Sequence, residues 1–158
     1  MEIRIGVGFD IHRLAEGRDL IIGGTKIDSD FGFIAHSDGD IFFHALTDAL
    51  LGAVGFGDIG QLFPDTDKRW KNAPSNIFLE KARDIVYQRG YKISNIDAVI
   101  VLEKVKILPY REQIIDNTAK ILNISKEKIF LKGKRFEGID DIGKGEGGFC
   151  IVNTILMR

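Results

Sequence analysis

Cysteine is almost missing from this chain: there is one in 158 residues, Cys150. A single thiol excludes an internal disulfide and a thiolate-rich structural metal site. It lies in the apolar run Gly148-Phe149-Cys150-Ile151-Val152 and reads as a small buried hydrophobe. No apolar run approaches the roughly 20 residues of a spanning helix, so no membrane association is expected. Excess charge is lacking too, with a net −1 from 22 bases and 23 acids, which argues against a nucleic-acid surface. Repeats, low-complexity tracts and linkers are absent. The opening MEIRIGVGFDIH has no uninterrupted apolar segment of the secretory kind. The expected location is therefore the cytoplasm, or an organelle stroma after removal of a transit peptide. The length predicts one domain, residues 1–158, with a full hydrophobic core.

Histidine is also scarce, and two of the three fall in one stretch, Ala35 to Asp67, together with six aspartates. That is more polar chemistry than packing requires. Ser37, with Asp40 three residues later, reads as the N-cap of a helix that starts near Asp38 and runs through Phe42, Phe43, Leu46 and Leu50 to Gly55. His44 and Asp48, spaced i and i+4, share a face, so the carboxylate is placed to hold one ring nitrogen while the other binds a ligand. Beyond the helix, Gly57-Asp58-Ile59-Gly60 and Phe63-Pro64-Asp65-Thr66-Asp67 read as loops that present polar groups. Charge is unevenly spread as well: residues 1–67 hold 12 acids and 4 bases, residues 68–158 hold 11 acids and 18 bases. An acidic half that holds cations and a basic half that holds an anion is one reading, and two ordinary solvated surfaces is the other.

The first strand is predicted over Glu2 to Asp10, where Ile3, Ile5 and Val7 alternate with Arg4, Gly6 and Gly8 as in a half-buried strand. Asp10 and His12 then point the same way at its end. Leu20 to Ile27, around Gly23-Gly24, reads as a short strand or hairpin arm. A helix follows from Ser75 through Val86 to Gly90, then a buried strand at Ile96 to Leu102 and a third helix beginning near Pro109. Strands are predicted at Lys128 to Lys132 and Gly147 to Leu156. Between them the run from Gly133 to Gly148 is rich in glycine and bases, suited equally to holding an anion and to a mobile hairpin. This order gives an α+β fold, a mixed α/β sandwich with one mainly four-stranded mixed sheet and helices on one face. Its open face requires an oligomer partner, with the terminal strand as a candidate contact.

Asp10, His12 and His44 form a three-donor N/O set without cysteine, the composition of a catalytic zinc site with an open position. His36 is left over, either packing at the helix entry or donating to a phosphate. Lys104 and Lys106 lie on a strand-to-helix connection of the kind that binds nucleotides and phosphates. Other readings of this set are a metal-dependent phosphohydrolase that activates water and a noncatalytic ligand-binding module.

The ordered segments Gly8-Phe9-Asp10-Ile11-His12, Ala35-His36-Ser37-Asp38-Gly39-Asp40, His44 to Gly52, Gly57-Asp58-Ile59-Gly60 and Phe63 to Asp67 resemble the 2-C-methyl-D-erythritol 2,4-cyclodiphosphate synthases over nearly the whole length. The resemblance implies a homotrimer with active sites between adjacent subunits, zinc on Asp10, His12 and His44, and magnesium or manganese on Glu137. It implies a catalytic, charge-stabilising role for His36 and, in place of a family threonine, for Arg135. Contacts to the erythritol and phosphate end of a cytidine diphosphate substrate fall to Ser37, Asp58, Ile59, Gly60, Phe63, Asp65, Asp67 and Lys144. The cytidine end falls to Lys104, Val105, Lys106, Ile107, Leu108, Gly133 and Lys134. The expected reaction closes a cyclic diphosphate and releases CMP. Lys134-Arg135-Phe136 departs from the family's threonine run, and Asp141 and Lys144 replace a phenylalanine and an arginine.

Overall fold

Helix α1, Ile41–Ala53, sits at the centre of the fold because little of it tolerates water: ten of its thirteen residues are buried. In the computed structural model, which describes residues 1–64 and 66–158, Asp40 caps it, accepting from the Phe43 N–H at 3.0 Å. The expected start near Asp38 with Ser37 as cap is thus corrected. Gly39, at φ 75°, turns the chain first, and the Ser37 hydroxyl faces His44 instead.

Strand β1, Ile3–Glu16, runs beyond its expected end at Asp10 because Leu14–Glu16 pair with a short edge strand β4, Phe31–Phe33. Asp10 and His12 are therefore mid-strand residues. The predicted alternation is present, but the glycine side is the buried one. A Cβ at Gly8 would stand 1.7 Å from the Ala45 carbonyl oxygen, and one at Gly6 1.9 Å from that of Ala49. Glycine here lets the strand lie against the helix backbone, which brings His44 within reach of Asp10.

The sheet order is β4-β1-β7-β5-β6. Strand β5, Lys92–Leu102, runs parallel to β6, Ile129–Lys134, while β7, Gly147–Met157, lies antiparallel between β1 and β5. The mixed sheet has four strands of six residues or more, as expected, plus β4, which the sequence reading does not contain. Leu20–Ile22 and Thr25–Ile27 form the β2–β3 hairpin around Gly23-Gly24. Helices α3, Asn76–Gln88, and α4, Arg111–Leu122, join α1, and two short helices, α2 at Ile59–Leu62 and α5 at Asp140–Gly143, lie in the loops.

Phe42, Leu46 and Leu50 of α1 meet Ile96 and Ile100 of β5 and Val152 and Leu156 of β7 in one core. Burial of each such side chain stabilises by about 1.5–3 kcal/mol. Cys150 belongs to this core, and burial pushes its thiol up, as suits a packing residue. The opposite sheet face is bare: Ile3, Ile5, Val7, Phe9 and Ile11 of β1 are 50–70% exposed, joined by Ile151 and Ile155 of β7. The unpaired apolar surface is thus mostly the first strand, with the terminal strand contributing less. No helix among the described residues is long and apolar enough to cross a membrane.

Candidate metal centre and basic cleft

Polar residues on a helix as buried as α1 cost free energy unless satisfied. His44 is one of the few, and its Nδ1 lies 2.9 Å from Asp10 Oδ2. His12 Nε2 lies 3.1 Å from the same oxygen without a well-aligned hydrogen bond, and it is buried with no other partner among the described residues. One donor atom from each of Asp10, His12 and His44 falls within 4.8 Å of the others. Burial opposes ionisation of Asp10, but the two imidazoles outweigh it and hold the carboxyl down at about 2. Burial also opposes charge on His44, yet Asp10 raises its pKa on balance. A permanent carboxylate beside two imidazoles, one with a stranded ring nitrogen, fits a divalent cation with N/O preference.

The far side of His44 holds a surprise. Asp48 does not touch the ring; its carboxylate accepts the Ile59 N–H at 2.7 Å and so pins the loop after α1. The i+4 spacing puts the two residues on one helical face, but Asp10, 34 positions away, takes the ring nitrogen. His44 Nε2 instead meets two hydroxyls, Ser37 at 2.9 Å and Ser75 at 2.8 Å. Nothing in the sequence links Ser75 to this site, because its place before α3 gives it the signature of a cap.

The loops that ring the centre are placed as follows. His36 is exposed, with Nε2 3.4 Å from the Asp67 carbonyl. Asp58 caps α2 through the Gln61 N–H at 2.9 Å, which sets Ile59 and Gly60 in its first turn. Phe63 packs between Trp70 and Phe78 at ring distances of 5.1 and 4.5 Å, and Phe78 reaches the His44 ring at 6.0 Å. Asp67 is paired with Arg69 at 2.6 Å. Asp65 lies outside the described residues.

A second concavity of about 570 Å³ opens at the β5–β6 end of the sheet. Val105, Lys106, Ile107 and Leu108 line it from one side and Gly133, Lys134 and Arg135 from the other. Lys104 does not; its ammonium sits 3.9 Å over the Phe31 ring. Five lining residues fall outside the site predicted from the sequence, Leu102, Arg111, Phe130, Leu131 and Lys132; of these, the Arg111 guanidinium, at the start of α4, sits 5.6 Å over the Phe130 ring of β6. Five bases, Lys106, Arg111, Lys132, Lys134 and Arg135, face a single acid, Glu137, in this lining, so the cleft suits an anion. Glu137 lines this cleft and is not a member of the Asp10–His12–His44 cluster. Lys144 does not line the cleft; it follows α5 and faces Asp141 at 3.7 Å, and Asp141 shares a separate concavity with His12. In the sheet order, β1 and β6 stand three strand steps apart, about 14 Å at roughly 4.8 Å each.

The sequence model of the YgbB family matches residues 3–157. A 2-C-methyl-D-erythritol 2,4-cyclodiphosphate synthase of Aquifex aeolicus is 52% identical across all of this chain and 99% of its own. Among solved structures, the bifunctional IspDF of Campylobacter jejuni superposes with a TM-score of 0.94 at 39% identity, over 98% of this chain and 42% of that longer one. The IspF of Plasmodium falciparum in complex with CDP gives 0.88 at 39% identity, over 99% and 96%. With the family model matching residues 3–157 and named synthases aligned across the chain, this chain belongs to the YgbB family, alongside these cyclodiphosphate synthases.

Proposed function

We propose that this chain is a phosphorus–oxygen lyase that converts 4-diphosphocytidyl-2-C-methyl-D-erythritol 2-phosphate to 2-C-methyl-D-erythritol 2,4-cyclodiphosphate and CMP, a step of non-mevalonate isoprenoid synthesis. An oxygen of the 2-phosphate attacks the phosphorus of the diphosphate nearer the erythritol. A new P–O–P bond closes the ring, the bond to the CMP oxygen breaks, and CMP leaves with the electron pair. The observation that carries this reading is the Asp10–His12–His44 cluster with its stranded His12 nitrogen, in a chain that is full-length kin to named synthases.

Asp10, His12 and His44 hold zinc in this reading, and a cation there supplies positive charge against anionic phosphate oxygens. The chain's own residues do the positioning. His36, exposed beside the cluster, donates to a phosphate, while Ser37, Asp58, Ile59, Gly60, Phe63, Asp65 and Asp67 surround the erythritol end. The basic cleft takes the cytidine end through Lys106 to Leu108, Gly133 and Lys134, and Arg135 binds the diphosphate in a fork of donors. Glu137, at the rim of the cleft, would hold magnesium or manganese, which would supply positive charge against the diphosphate. Bringing two anionic phosphates together is the main obstacle, so orientation and charge stabilisation account for the rate without a protein nucleophile.

The assembly is a homotrimer with each active site between neighbours, and two observations support it. The bare apolar strip of β1 lacks a partner within the chain. The strand that carries the metal cluster and the strand that borders the cleft also stand three steps apart in the sheet order, a span that a neighbour's cleft set against β1 would shorten. The proposed location is the cytoplasm or an organelle stroma. Incubating the protein with the cytidine substrate and following phosphorus by NMR tests the reading. CMP and a cyclic diphosphate are expected from wild type and neither from His12→Ala, while inorganic phosphate as the product would make the protein a hydrolase.

A further inference from the structure

Ser75 occupies the N-cap position of α3 and does not cap it: its side chain makes no hydrogen bond to the first turn. Serine is among the residues best suited to that task, so its hydroxyl is committed elsewhere. Ser75 is 0% exposed. Asp38 takes both hydrogens that Ser75 offers, the backbone N–H on Oδ2 at 2.8 Å and the hydroxyl on Oδ1. A hydroxyl whose proton belongs to a carboxylate has only lone pairs left to offer. Those face His44 Nε2 at 2.8 Å.

We propose that Asp38 and Ser75 form a positioning pair that fixes the tautomer of His44 for cation binding. Nε2 must carry a proton in order to donate to Ser75, so the nitrogen that gives up its proton when a cation binds is Nδ1, on the side of Asp10 and His12. Histidine ligands are commonly oriented by a carboxylate or carbonyl on the second nitrogen. Here the carboxylate works through one intervening hydroxyl, which delivers its direction without placing a second carboxylate, after Asp10, in contact with the ring. Ser37 is no substitute. It lies 2.9 Å from the same nitrogen, but its other hydrogen bond is a long one from the Gly39 N–H, at 3.4 Å, which leaves its own proton free to turn toward a substrate. The pair is also stiffly mounted, since Asn72 N–H donates to the His36 carbonyl at 2.8 Å and Asp38 N–H to that of Ala73 at 3.2 Å. These two bonds tie the loop before α1 to the loop before α3.

The inference rests on the metal reading above, and its test separates the two. Zinc affinity is measured by competition with a chromophoric chelator for wild type and Ser75→Ala, and the protonation of the His44 ring nitrogens is read by nitrogen-15 NMR in the zinc-loaded wild type. Loss of the hydroxyl should weaken zinc binding by roughly 10- to 100-fold, and the wild-type ring proton should reside on Nε2. A wild type that binds zinc while Ser75→Ala binds it equally well overturns the pair and leaves the metal reading standing. A ring proton on Nδ1 does the same. A wild type that binds no zinc overturns both. If Ser75→Ala does not fold, the ring-nitrogen spectrum of the wild type decides alone.

Discussion

At the scale of single residues, the identity of a side chain proved easier to read than its partner. Asp48 shares a helical face with His44, yet the structure spends it on the Ile59 N–H, and burial raises its pKa. Asp48→Asn should therefore leave zinc affinity unchanged and speed hydrogen exchange at the Ile59 amide. A 10-fold drop in zinc affinity would return Asp48 to the metal centre. Arg135 invites a second substitution. It stands in the cleft lining beside Lys106 and Lys134, where a guanidinium can replace a threonine as phosphate donor. Arg135→Ala should lower kcat/KM by one to two orders of magnitude, about 1.5–3 kcal/mol for a charge-assisted bond. Arg135→Thr should recover part of it. Equal rates in all three proteins would put this side chain in solvent.

Among the elements, α1 depends most on one residue. Asp40 is fully buried, and its two oxygens accept from Phe43 N–H in the helix and Gly24 N–H in the β2–β3 hairpin, at 3.0 and 2.8 Å. Removing it strips a cap and strands two donors, so Asp40→Ala should lower the unfolding free energy by about 2–4 kcal/mol in urea titrations. Burial and the nearby Asp38 charge push its carboxyl up to about 6 from an ordinary 3.8. A group that holds its proton more tightly when folded contributes its full stability below the unfolded value and loses it as pH rises through the folded one. Wild-type stability relative to Asp40→Asn should accordingly fall between about pH 4 and pH 6 and then level off. A difference that stays flat across that range would mean that Asp40 titrates as an ordinary surface carboxyl.

The whole molecule is governed by the bare face of β1. Val7 is 63% exposed in the isolated chain, so a glutamate there costs the chain little by itself. In a subunit interface the same charge is buried without a partner, and Val7→Glu should shift the sedimenting species from trimer to monomer with the far-UV spectrum preserved. A wild type that sediments as a monomer would remove the assembly from the proposal. The placement of the two half-sites supplies a complementary experiment. His12→Ala spoils the metal half and Glu137→Ala the cleft half, so each trimer should be inactive. Mixed trimers reassembled from both contain boundaries where intact halves meet, and activity should return only there. Subunit exchange verified by mass spectrometry without any return of activity would place both halves in one chain.

Local rules carry the sequence a long way here. The 3.6-residue periodicity fixes the three main helices, and period 2 puts Asp10 and His12 on one side of a strand, because each depends only on neighbours along the chain; Gly23-Gly24 leaves a short strand or a hairpin arm open, and pairing makes it a complete two-stranded hairpin. The scarcity of histidine and cysteine likewise directs attention to Asp10, His12 and His44 as a candidate metal cluster. What lies opposite each face was decided by packing. The contact between Gly8 and the Ala45 backbone brings Asp10 to His44, and it turns the isoleucines of β1 outward rather than into the core. Ser75 reaches His44 across 31 residues, and Arg111 joins Phe130 at the cleft only once α4 lies along β6. Periodicity states which side chains share a side; only close packing of distant segments determines what that side meets.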